Sequence, residues 1–199
     1  MTPDKIFEIG TKERLKSFKF QNQKFEEGDS AHIAVTRDRA QAHHLVKILE
    51  IYRVTQGPEK YCILKVQFFY QKPHLSQKLY GSFMKHISDY ELFASDLEQL
   101  ISATWILEKA MIYSLPEYNK RPGEICFFSQ SSINKETGVV EPAIKDRPRV
   151  CVCHAIECPD YNYVLCDKCE KWLHYDCAGF TNSEGFQNRV FVCKICQKL

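Results

Sequence analysis

Through most of the first 140 residues apolar and polar positions alternate over short stretches, a period near two that predicts strands. Ser17-Phe18-Lys19-Phe20 and Lys24-Phe25 flank a Gln21-Asn22 turn, a hairpin pattern, and Glu27-Gly28-Asp29 turns the chain into a strand over Ser30–Val35. Thr36 to His43 is polar and reads as a loop. Leu45–Tyr52 and Tyr61–Tyr70, joined across Gly57-Pro58, are richer in apolar, β-branched and aromatic residues and predict central strands, the second ended by Pro73. Residues 88–101 break the rhythm: Ser95-Asp96-Leu97-Glu98 has the form of a capping box and predicts a short helix. Strand character returns over Thr104–Tyr113 and Cys126–Ser129, and again at Val139-Val140 after a turn at Asn134–Gly138. In residues 1–15, Ile6, Phe7 and Ile9 either pack on the domain that follows or fray as termini do. Many short strands with one small helix predict a mainly β barrel or sandwich over 16–145.

Beyond Pro142–Pro148 the pattern changes kind. Cys151/Cys153, Cys166/Cys169 and Cys193/Cys196 are close pairs, and His174-x-x-Cys177 lies between the second and third. Four cysteines, one histidine and three more cysteines supply eight soft ligands, the requirement of two closed tetrahedral zinc sites. So many ligands between Cys151 and Cys196 favour two Zn2+ over a disulfide cluster. A segment of about 50 residues buries too little apolar surface to fold alone, and bound metal supplies what is missing. Cys158 is an odd thiol that could replace Cys151 or Cys153.

These residues resemble the PHD finger: cysteine as fourth ligand, histidine as fifth, and Trp172 two residues before His174. The resemblance implies a small cross-braced finger over 148–199. One zinc would be held by Cys151, Cys153, His174 and Cys177, the other by Cys166, Cys169, Cys193 and Cys196. It also implies a binding site for the N-terminal tail of histone H3, which would add as a strand beside Tyr163-Val164-Leu165. Aromatic faces hold a methylated ammonium by cation–π attraction. The family's cage positions fall on Tyr163 and Trp172, with Tyr161 able to complete the cage and Glu157 or Asp160 placed to pair with basic residues of the tail. Alternatively, Trp172 packs on the finger's own core.

Charge changes the choice of partner. The formal +2 falls to about −1 once seven bound thiolates and two zinc ions are counted, and residues 148–199 then stand near −3. Such a surface suits a basic histone tail better than DNA phosphates. Only the first 24 residues are clearly basic, with six Lys or Arg against three acids; they form either a solvated arm or a secondary DNA contact. Ten cysteines without a signal-type segment or long apolar run indicate a reducing compartment and no membrane partner.

A second resemblance, to the BAH domain, rests on Glu27-Gly28-Asp29-Ser30-Ala31-His32-Ile33 and on Val66–Pro73. It continues in Glu91-Leu92-Phe93-Ala94-Ser95 and in Cys126-Phe127-Phe128 ahead of Thr137-Gly138. With the finger directly after it, residues 16–199 are similar to the BAH–PHD chromatin readers of plants, the short-life and early-bolting-in-short-days type. That implies a nuclear protein reading the H3 tail on the nucleosome beside other subunits of a chromatin complex. It also implies a second methyl-lysine cage, for a silencing mark, at Phe68, Tyr70 and the vicinity of His44. If these rings are instead core or interface residues, the chain is a structural subunit of such a complex. A RING-like ubiquitin ligase is the remaining enzymatic alternative, opposed by the ligand order and Trp172. Otherwise no phosphate loop or Ser/His/Asp order is present, and zinc saturated by protein ligands cannot activate water, so no catalysis is expected.

Overall fold

The computed structural model describes residues 2–34, 43–180 and 190–198. Val35 and the polar stretch read as a loop lie outside these residues, apart from His43. The described residues form two compact units, one of Met1–Ser76 with Tyr90–Glu141, the other of Gln77–Asp89 with Pro142–Leu199. Thus Gln77–Asp89, inside the span 16–145, packs with the C-terminal residues.

The first unit opens with helix α1 (Pro3–Ile9), capped by Thr2. Its strands are β1 (Thr11–Leu15), β2 (Ser17–Phe20), β3 (Gln23–Glu26), β4 (Ser30–Ala34), β5 (His43–Gln56) and β6 (Glu59–Gln71). They continue with β7 (Glu91–Ser102), β8 (Ile106–Ala110), β9 (Ile112–Tyr113), β10 (Phe127–Ile133) and β11 (Val140–Glu141). β2 and β3 pair in the expected register, Phe18 opposite Phe25, across a turn whose two residues, Gln21 and Asn22, both have positive φ as a tight hairpin requires. Strands β11-β10-β7-β6-β5-β4-β8 are neighbours in one sheet, and β1 pairs with β5. After β8 a single residue, Met111, leads into β9, which pairs in parallel with β10 near the opposite end. The sheet therefore curls back on itself as a barrel around Phe25, Ile33, Ile48, Leu64, Val66 and Ile106. The amino-terminal segment does not fray, because Ile6 is buried against Val54 and Ile63.

The helix expected near Ser95 is absent; Glu91–Ser102 is one strand, paired with β6 on one side and with β10 on the other. Leu92 and Phe93 are fully buried, and Ser95 Oγ donates to Phe68 O at 2.8 Å while accepting from Leu97 N at 3.1 Å. A helix would remove the partner of two long strands, so tertiary pairing overrides the local signal. Likewise, a 3-10 turn at Ala103–Trp105 interrupts the strand expected from Thr104.

Among its described residues the second unit has short strands: β12 (Arg149–Val150), β13 (Ala155–Ile156), β14 (Tyr163–Leu165) and β15 (Trp172–His174). Among its described residues are also helical turns at Gln77–Tyr80, Met84–His86, Ile144–Asp146, Tyr175–Ala178 and Lys194–Gln197. Its core is Val164 and Leu173 with Cys166, Cys193 and Cys196, and sulfur replaces much of the hydrocarbon a larger domain would bury. The architecture is thus mainly β with few short helices, followed by a cysteine-rich region holding two ligand groups.

Candidate metal centres and aromatic sites

Each metal-type group is assembled from two distant pairs. Cys151 and Cys153 meet His174 and Cys177, Cys166 and Cys169 meet Cys193 and Cys196, and within each group the ligand atoms lie within 4.8 Å of one another. Tight turns set the bite: Cys151 and Glu170 hold left-handed φ of 71° and 55°, and the Glu170 amide donates back to Cys166 O at 2.8 Å. The grouping is the crossed one that the finger resemblance implies. Cys158 belongs to neither group; it is buried, and its amide donates to Tyr163 Oη.

The donor set fits zinc. The Cys193 amide donates to Cys166 Sγ at 3.3 Å, and such amide donors push that thiol down to about 6. In the same group Cys196 is pushed up to about 12 by its hydrogen bond with Cys169 and by burial. Burial and the sulfurs of Cys151 and Cys153 push Cys177 up to about 12 in the other group. Four neighbouring thiols cannot all ionise without a countercharge, and a divalent cation would provide one. Seven thiolates and the Nδ1 of His174, 3.3 Å from Cys153 Sγ, would hold two ions with no open coordination position.

The hairpin of β14 and β15 carries the finger's aromatic candidates. Tyr163 opposes His174 and Leu165 opposes Trp172, so these four side chains share one face while Val164 and Leu173 point into the core. Trp172 is 52% exposed, and the core cluster of the finger is built without it. Tyr163 is more constrained. Its ring lies 4.8 Å from His174, its hydroxyl donates to Cys158 O at 3.1 Å, and burial pushes the phenol up to about 12. Tyr161 also meets His174, edge-on at 5.3 Å, and donates to Lys85 O at 2.5 Å. Asp160 accepts from Ser88 Oγ at 2.6 Å and from the Asp89 amide at 3.2 Å. Tyr161 and Asp160 thus hold the segment Gln77–Asp89, whereas Glu157 is half-buried near Tyr163. Among the described residues β14 pairs only with β15.

In the first unit His44 stands edge-on to Phe68 at 5.8 Å, and Tyr70 lies 5.6 Å from His74. Phe68 is 8% exposed and joins the barrel core; Tyr70 and His44 are half-buried. His74 was not singled out in the sequence, where it is one histidine after a proline. With His32, His43, His44 and Gln71 it lines a cavity of about 240 Å³. Burial, followed by the neighbouring His74, lowers the pKa of His44, which keeps this ring neutral at neutral pH.

No family model matches the chain. The structure superposes on the yeast Rsc2 BAH domain with a TM-score of 0.50 and 12% identity, over 65% of this chain and 54% of that one. The barrel fold is therefore BAH-like. A 56-residue stretch, 28% of the chain, is 36% identical to a nucleosome-remodeling factor subunit NURF301-like protein of Caenorhabditis elegans, of which it spans 3%.

Proposed function

We propose that this chain is a non-catalytic, nuclear chromatin reader whose finger binds the N-terminal tail of histone H3 with its fourth residue, a trimethylated lysine, against Trp172. One observation carries the reading: a half-exposed tryptophan stands on the outer face of a hairpin flanked by candidate metal ligands, and among the described residues its strand β14 has an edge outside its own ladder. Strand addition at such an edge gives affinity through the backbone, and the flanking side chains give specificity. Trp172 offers the principal cation–π face, Tyr163 the second wall, and Glu157 a carboxylate for the tail's basic residues. The likeness to a nucleosome-remodeling factor subunit and to a BAH domain supports a place on chromatin. Two closed ligand sets support the absence of zinc catalysis. In the first unit, the solvent-reaching rings of His44, Tyr70 and His74 would form a second, weaker cation site for a methylated lysine farther along the tail. The neutrality of His44 favours that role.

Titration of the zinc-loaded full chain with unmodified and trimethylated H3 peptides tests the reading. Micromolar affinity for the trimethylated peptide, about −7 to −8 kcal/mol, is expected. Trp172→Ala should weaken it roughly tenfold with both zinc ions retained. Equal affinity for the two peptides, or indifference to Trp172, would overturn it. The buried Phe68 and the engaged Tyr161 favour one second reading, a structural subunit of a chromatin complex. That reading expects no binding of tail peptides by the chain alone.

A further inference from the structure

The basic amino-terminal stretch folds into β1 and the β2–β3 hairpin, and this brings its lysines to cations from far along the chain. A shallow groove of about 330 Å³ is lined by Ser17 and Lys19 of the hairpin, Arg53 of β5, and Lys60, Tyr61 and Cys62 of β6. Arg53 opposes Cys62 and Thr55 opposes Lys60, so Arg53 and Lys60 are diagonal neighbours on one face. Such neighbours stand roughly 7–8 Å apart. Over that length duplex DNA presents about four phosphate charges.

Among the described residues two carboxylates meet side chains that line the groove. Glu13 pairs with Arg53 at 2.7 Å, and Glu59 accepts from the Tyr61 hydroxyl. The Arg53–Glu13 pair is solvated on both sides and therefore weak. Lys19 and Lys60 are exposed, and neither meets a carboxylate among the described residues. Burial pushes Cys62 up to about 11, so the floor between the cations is an uncharged thiol.

We infer that Lys19, Lys60 and Arg53 form a sequence-independent contact for the phosphate backbone of duplex DNA. The inference rests on the chromatin reading only in choosing DNA as the polyanion. Lysine ammoniums on flexible stems suit phosphates of variable register, and an open groove suits a continuous backbone better than an enclosed small ligand. Counterion release drives such binding, so the contact is weak and steeply salt-dependent. It would hold the nucleosome's DNA while the finger searches for its tail, raising the effective concentration of the second contact.

Fluorescence anisotropy of a labelled mixed-sequence duplex with the zinc-loaded full chain tests this, alongside a labelled polyglutamate peptide. Lys19→Glu/Lys60→Glu should weaken duplex binding roughly tenfold and reduce the slope of log K against log salt by about 2. Lys135→Glu/Lys145→Glu changes net charge equally at exposed positions outside the groove and should leave that slope nearly unchanged. Unchanged duplex binding in the groove variant overturns the inference. So does an equal loss in the control variant, or polyglutamate binding as tight as the duplex with the same sensitivity. Affinity for H3 peptide is measured on the same variants and should not change. Peptide binding lost by the parent chain with the groove effect intact would remove the reader proposal and leave the DNA contact standing.

Discussion

The phenolic hydroxyl of Tyr161 donates to the backbone carbonyl of Lys85 at 2.5 Å, across 76 residues of sequence, while its ring stands edge-on to the zinc-type ligand His174 at 5.3 Å. One tyrosine therefore ties the segment Gln77–Asp89 to a candidate metal centre. Tyr161→Phe keeps the ring against His174 and removes only the hydrogen bond. It should lower the stability of the second unit by about 1 kcal/mol, with two zinc ions retained. Denaturant unfolding of the unit, read from Trp172 fluorescence in a Trp105→Phe background, checks this; an unchanged midpoint would mean the segment is held by its other contacts alone.

Metal content follows from the two ligand sets. Elemental analysis should find two zinc ions per chain, and Cys166→Ser should lower this to one. Chelation should unfold the second unit, Gln77–Asp89 included, and leave the barrel folded. Hydrogen exchange resolved by peptide distinguishes the units, and loss of protection in both together would contradict this division.

Zinc loading should also release protons. Without metal the unit is unfolded and its cysteine thiols, with an ordinary pKa of about 8.5, are mostly protonated at pH 7.5; bound to zinc they are ionised. Calorimetric titration in buffers of different ionisation enthalpy should show at least two protons released per chain.

Phe68 and Tyr70 should separate cleanly. Phe68 is buried in the barrel core, so Phe68→Ala should cost about 3–5 kcal/mol of stability. Tyr70 is half-buried, and Tyr70→Ala should cost markedly less while weakening any methyl-lysine peptide held by the barrel. Thermal unfolding of the two variants beside peptide titration decides between a cage and a packing role.

Acidification should destabilise the barrel. Burial lowers the pKa of both His32 and His44 below the usual 6.5, so the unfolded chain takes up protons first as pH falls. The stability these neutral rings contribute is complete above pH about 6.5 and is lost as pH drops towards their folded values. Exchange rates in β4 and β5 should rise between pH 7 and 5, and His44→Asn should flatten that dependence.

By itself the sequence determined what depends on neighbours along the chain. Ligand spacing identified all eight metal-type residues, because a turn that carries two sulfurs is set by two or three residues. Alternation gave the β2–β3 hairpin and the central strands β5 and β6, since strand faces repeat every second residue. The resemblance to BAH and PHD families supplied the fold of the barrel and the crossed ligand sets. Tertiary structure decided the rest. The capping-box signal at Ser95–Glu98 yielded to strand pairing on both sides, which no local pattern records. Asp160 and Tyr161 look free in the sequence, yet both hold residues more than 70 positions earlier. The meeting of Lys19 with Arg53 and Lys60, and of His74 with Tyr70, likewise arises only when distant strands share one curled sheet. Long-range pairing fixes such neighbours, and its partners are not encoded near them in the chain.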